Sequence, residues 1–68
     1  MYYYQRLRDM REDSDLSQSL VAELLGISQQ QYHLYESGKR EIPAHLLKKL
    51  ANYYKVSTDY LLGIKLHK

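Results

Sequence analysis

Three times along the 68 residues a serine stands between apolar residues at fixed distances, and this device constrains the fold more than any other feature. The sets are Leu16-Ser17 with Val21, Ile27-Ser28 with Tyr32, and Val56-Ser57 with Leu61. A serine at a helix N-cap accepts a hydrogen bond from a free first-turn N–H. The flanking apolar pair forms a hydrophobic staple, which sets the angle at which the chain joins the helix. Gln31, three residues after Ser28, completes the pattern of a capping box. Helix starts are therefore expected at Gln18, Gln29 and Thr58.

The helix ends are marked as well. Gly26, Gly38 and Gly63 follow the apolar runs, and glycine is the least costly residue in the left-handed conformation that closes a helix. Pro43 suits the first turn of a further helix, where its missing N–H costs little. Leu46, Leu47, Leu50, Ala51 and Tyr54 give that helix one apolar face. Tyr3, Leu7 and Met10 repeat the same spacing upstream. The reading is an all-α chain of five short helices: 3–13, 18–25, 29–37, 44–54 and 58–62. Residues 1–68 are expected to form one domain, with 64–68 a short tail.

Composition narrows the function classes. With no cysteine, neither disulfides nor thiolate chemistry is available, and a reducing cytoplasm is the simplest setting. No apolar run approaches the roughly 20 residues needed to cross a bilayer, so no membrane partner is expected. His33, His45 and His67 lack the spacing of metal ligands, and no Ser–His–Asp arrangement or phosphate-cradling glycine loop is present. Neither an enzyme, nor a cofactor, nor a small-molecule ligand is expected. The net charge is +2, with the bases concentrated late. From Lys39 onward only Glu41 and Asp59 are acidic, against Lys39, Arg40, Lys48, Lys49, Lys55, Lys65 and Lys68. A local basic surface suits a polyanion partner.

The centre of the chain is the most specific part. The joint Leu25-Gly26-Ile27-Ser28 is so short that helices 18–25 and 29–37 must meet steeply. Two helices joined through a glycine turn make a helix-turn-helix, whose second helix can project into the major groove of DNA. On helix 29–37, Tyr32 and Tyr35 fall on one side and are expected to pack inward with Val21, Leu24 and Ile27. Gln29, Gln30, His33 and Leu34 fall on the other, as candidates for base contact. Glutamine can pair with adenine N6 and N7, and leucine can touch a thymine methyl. The competing reading is a solvated polar face, or a face that docks on protein.

From Gln5 to Gly63 the chain resembles the Cro/cI-type (XRE) helix-turn-helix family with the lambda-repressor-like fold. The residues that carry the resemblance are Arg6-Leu7-Arg8-Asp9-Met10-Arg11-Glu12, Leu16-Ser17-Gln18, Ala22-Glu23-Leu24-Leu25-Gly26-Ile27-Ser28 and Tyr35-Glu36-Ser37-Gly38-Lys39-Arg40-Glu41-Ile42-Pro43. They continue with Leu46-Leu47-Lys48-Lys49-Leu50-Ala51 and Val56-Ser57-Thr58-Asp59-Tyr60-Leu61-Leu62-Gly63. The resemblance implies a compact five-helix bundle. It implies a repressor that binds a palindromic operator in double-stranded DNA as a homodimer, in the cytoplasm of a bacterium or on phage DNA at the nucleoid. It assigns base contacts to Gln29, Gln30 and Leu34, and phosphate contacts to Gln18, Ser28, Lys39 and Arg40. It has Gln18 brace Gln29, and it pairs Arg11 with Glu36. Asp15 stands where the family often has glycine, Ala44 where a capping residue is common, and Leu34 where polar residues are frequent. The tyrosines Tyr53, Tyr54 and Tyr60, with Leu62, Ile64 and Leu66, exceed what so small a core can bury. The dimer contact is expected there.

Overall fold

The computed structural model describes residues 2, 4–64 and 66. Within them lie five helices: α1 (Gln5–Asp13), α2 (Gln18–Leu25), α3 (Gln29–Glu36), α4 (Ala44–Tyr54) and α5 (Thr58–Leu61). No strand forms among the described residues.

The serine device works the same way at α2, α3 and α5. Ser17, Ser28 and Ser57 share an extended backbone, with φ between −80° and −75° and ψ between 155° and 159°. Their hydroxyls accept from Leu20 N at 3.0 Å, Gln31 N at 3.1 Å and Tyr60 N at 3.0 Å. The apolar residue four positions on, Val21, Tyr32 or Leu61, is 0% exposed in every case. Leu16, Ile27 and Val56 pack beside them against the core. One element of the expectation fails: the Gln31 side chain does not return to the cap. Its Nε2 donates to the Tyr35 hydroxyl at 3.2 Å, one turn further along the same helix.

Several boundaries differ from the sequence reading. Helix α1 starts at Gln5 rather than residue 3, because Tyr4 takes the cap position without capping and turns its ring into the core. Its hydroxyl accepts from Ile42 N at 3.3 Å, tying the N-terminal segment to the stretch that leads into α4. Tyr3 itself lies outside the described residues. Helices α3 and α5 each end one residue early, at Glu36 and Leu61. Pro43 occupies the N-cap of α4 instead of its first turn, with ψ at 147°, and no side chain caps that helix.

Gly26 has φ 73°, and a Cβ built there would meet nothing within 4 Å, so backbone conformation alone calls for glycine at this joint. Asp15 and Lys55 also take left-handed φ, at 56° and 58°. Aspartate tolerates that region better than most residues, whereas lysine gains nothing there.

The core joins Tyr4, Leu7 and Met10 from the N-terminal side, Val21, Ala22 and Leu25 from α2, and Tyr32 and Tyr35 from α3. Ile42, then Leu46, Leu47, Leu50 and Ala51 of α4, and Leu61 of α5 complete it. Helix α2 packs chiefly on α3, α1 bridges α3 and α5, and α4 rests on α2 and α5. Leu24 departs from expectation: it is 44% exposed rather than inward. Val21, Ala22 and Leu25 already fill the inward face of this eight-residue helix, which leaves Leu20 and Leu24, one turn apart, on its flank.

Candidate nucleic-acid interface

Helix α3 is held from behind and left free in front. Tyr32 and Tyr35 anchor one face in the core, and Ser28 caps the first turn. On the other face Gln29, Gln30 and His33 are exposed. These three residues and Gln18, from the start of α2, line one shallow depression. Leu34 is half-buried and does not line it. Its carbonyl accepts from Lys39 N at 3.0 Å and Arg40 N at 3.2 Å, folding the chain back after α3. Lys39 and Arg40 are exposed on that returning segment. The Ser28 hydroxyl accepts from the cap, and its O–H is still available to donate to a phosphate oxygen.

The placement of α3 depends on one carboxylate. Arg11 approaches Glu36 in a two-pronged geometry, Nε to Oε2 at 2.9 Å and Nη2 to Oε1 at 2.9 Å. Its third prong, Nη1, donates to Leu16 O at 2.8 Å, just before α2 begins. Gln18 Nε2 donates to Glu36 Oε1 at 3.2 Å. Gln18 is thus bound to Glu36, where the sequence reading had it brace Gln29. The two glutamines meet only as neighbours in the depression.

The pair is largely shielded, with side chains 13% (Arg11) and 5% (Glu36) exposed. Burial pushes the Glu36 carboxyl up, but the hydrogen bonds from Arg11 and Gln18, with the Tyr32 hydroxyl close by, outweigh it and hold the group below its ordinary value. The same hydrogen bond raises Arg11 further, against a smaller opposing effect of burial. Two tyrosine hydroxyls sit buried behind the pair. That of Tyr32 lies beside the carboxylate without closing a hydrogen bond of regular geometry. Burial, and then Glu36, raise it well above the ordinary tyrosine range. Burial, and then Glu36, push Tyr54 up to about 12.

A second cleft adjoins the depression, lined by Arg8, Arg11, Gln18, His33, Glu36 and Ser37. Arg8 reaches it while paired with Glu12 at 3.2 Å on the surface of α1. Sequence reasoning missed Arg8, because nothing local shows that α1 lies alongside α3. It also missed Arg6, whose guanidinium lies 4.2 Å from the Tyr60 ring centre and donates to Tyr60 O at 3.0 Å. No local pattern shows a contact across 54 residues. Among the described residues there is no group of metal-ligating side chains and no helix long and apolar enough to cross a membrane.

A family model described as helix-turn-helix matches residues 7–61, which include the capped, glycine-jointed helix pair that presents Gln29 and Gln30 outward. The chain belongs to the helix-turn-helix family. The match takes in both helices of the motif and the α4–α5 support. Similar proteins include the transcriptional regulator YobD of Bacillus subtilis, 40% identical over 91% of this chain and 55% of YobD. The SPbeta prophage-derived regulator YonR of the same organism is 45% identical over 85% of this chain and 54% of YonR. The chain thus spans about half the length of these curated relatives. In fold it is similar to the P22 c2 repressor, solved with a synthetic operator. The TM-score is 0.82 at 23% identity, over 96% of this chain and 98% of that one.

Proposed function

We propose that this helix-turn-helix chain is a sequence-specific transcriptional repressor that lays α3 in the major groove of double-stranded DNA. The observation that carries this reading is the contrast between the two faces of α3. One face is locked by Tyr32, Tyr35 and the Glu36 carboxylate, while Gln29, Gln30 and His33 stand outward together. Helices of this kind reach base edges from their first turns, where Gln29 and Gln30 lie. Gln29, Gln30, His33 and Leu34 are the base readers of this reading. Leu34, half-buried, offers only its outer edge to a thymine methyl. Gln18, Ser28, Lys39 and Arg40 hold the phosphates. The two regulators to which the chain is similar support the reading by their class.

One α3 spans few base pairs, so the reading includes a homodimer on a palindromic operator, its two recognition helices about 34 Å apart. Residues 1–68 act as one DNA-binding unit, without cofactor or small-molecule effector, in the bacterial cytoplasm at the nucleoid or on phage DNA. The test is selection of sites from a random duplex library, followed by titration of the enriched sites at two salt concentrations. A palindromic consensus is expected, with log K falling by roughly 0.9 per phosphate contact per decade of salt. Weak binding without enrichment, insensitive to salt, would overturn the reading in favour of a protein-docking module.

A further inference from the structure

Helix α3 brings no lysine or arginine to the surface it presents. Its eight residues include one acid, Glu36, and one side chain able to become a cation near neutral pH, His33. Glu36 is already balanced by the two prongs of Arg11. The charge that α3 itself carries into a groove is therefore set by His33.

The neighbours of His33 sharpen this. It is exposed one turn beyond Gln29 and Gln30, on the rim shared by the depression and the adjoining cleft. From α1 it faces Arg8 and Arg11, held by Glu12 and Glu36 respectively. From α2 it faces the neutral Gln18, and along its own helix Glu36 and then Ser37. The carboxylates in this set are paired with guanidinium groups. The free protein thus offers the imidazolium paired charges, whereas a duplex offers one negative charge per 1.7 Å of axis.

We infer that His33 takes up a proton when α3 enters the groove, so that affinity for DNA rises as pH falls. The inference rests on the groove-binding reading above and adds a regulatory input to the same surface. A negative field favours the charged form of a histidine. A group that holds its proton more tightly in the complex than in the free protein adds affinity in full at low pH. That gain is lost as pH rises through the titration in the complex.

The experiment titrates wild type, His33→Gln and His45→Gln with a labelled duplex carrying an enriched site, at constant ionic strength, from about pH 5.5 to about pH 8.5. Wild-type affinity is expected to weaken with rising pH by up to about tenfold per pH unit for each chain bound, within the titration range. The profile of His33→Gln is expected to be flat, while His45→Gln, altered at an exposed position of α4, follows wild type. Calorimetry in two buffers of different ionisation heat should show proton uptake by wild type and none by His33→Gln. A flat or inverted wild-type profile, or a wild-type slope kept by His33→Gln, would overturn the inference while sequence-selective binding stands. Failure of wild type to bind duplex at any pH would overturn the groove reading and this inference with it.

Discussion

Glu36 joins α1, the start of α2 and the end of α3 through two oxygens, and it is 5% exposed as a side chain. A buried pair of this kind adds little over a packed apolar core, but removing one partner strands the other. Glu36→Gln is expected to lower stability at neutral pH by roughly 3 kcal/mol, the lower end for a buried pair because Arg11 keeps an edge to solvent. The pH dependence has a definite sign. Burial raises the Glu36 carboxyl, and the hydrogen bonds from Arg11 and Gln18, with the Tyr32 hydroxyl close by, lower it by more, below the ordinary 4.5. A depressed carboxylate contributes fully above its unfolded value and loses that contribution as pH falls through the folded one. Denaturant titrations should therefore show the gap between wild type and Glu36→Gln closing below about pH 4. A constant gap down to pH 2 would mean that the charge does not matter. At the surface, Gln30→Ala should lower affinity for an enriched site by about 1–3 kcal/mol and leave mixed-sequence DNA almost unaffected. Arg40→Ala should weaken both alike and reduce the salt slope by about one. Titrations on the two kinds of duplex separate these outcomes.

Among the elements, the joints decide more than the helix interiors. Gly26 and Lys55 close α2 and α4 with nearly the same left-handed backbone, φ 73° and 58°, yet only one is glycine. An L-residue in that region costs roughly 1–2 kcal/mol. Gly26→Ala should then destabilise by about 1 kcal/mol even though its Cβ has free space. Lys55→Gly should stabilise by up to about 1 kcal/mol, reduced by the greater freedom glycine has when unfolded. Opposite shifts of the two midpoints in urea are the expected result. Ser28→Ala removes the acceptor for Gln31 N and should cost about 1 kcal/mol. That change also loosens the turn from which Gln29 and Gln30 project, so site affinity falls with stability.

For the whole molecule, the core is continuous, yet apolar surface remains uncovered. Tyr53 is 50% exposed, Ile64 71% and Leu66 84%, while Tyr54, Tyr60 and Leu62 pack against the core. The excess expected at the C-terminal side is thus narrower than the sequence suggested. Leu20 and Leu24 are also uncovered on α2, and Leu24 lines one apolar pocket together with Tyr53. A homodimer on DNA should cover some of this surface. Sedimentation at tens of micromolar, with an enriched palindromic duplex present and absent, is expected to show two chains per duplex. One chain per palindrome would remove the dimer from the proposal.

What the sequence determined by itself was local. Serine caps, their staples and left-handed glycines act within about five residues, so α2, the start of α3 and the joint between them were legible to the residue, and so was the outward placement of Gln29, Gln30 and His33. Arg11 and Glu36 were matched through family resemblance, not through spacing. Tertiary structure decided what depends on neighbours distant in the chain. It seated the Tyr4 ring at the start of α1 and passed its hydroxyl to Ile42. It turned Gln31 to Tyr35 and Gln18 to Glu36, where amide groups had several partners within reach. It left Leu24 on the flank, because three other side chains of α2 already fill the space under α3 and α4. Backbone capping is a short-range force written in adjacent residues. The choice among competing partners belongs to packing, which no single segment encodes.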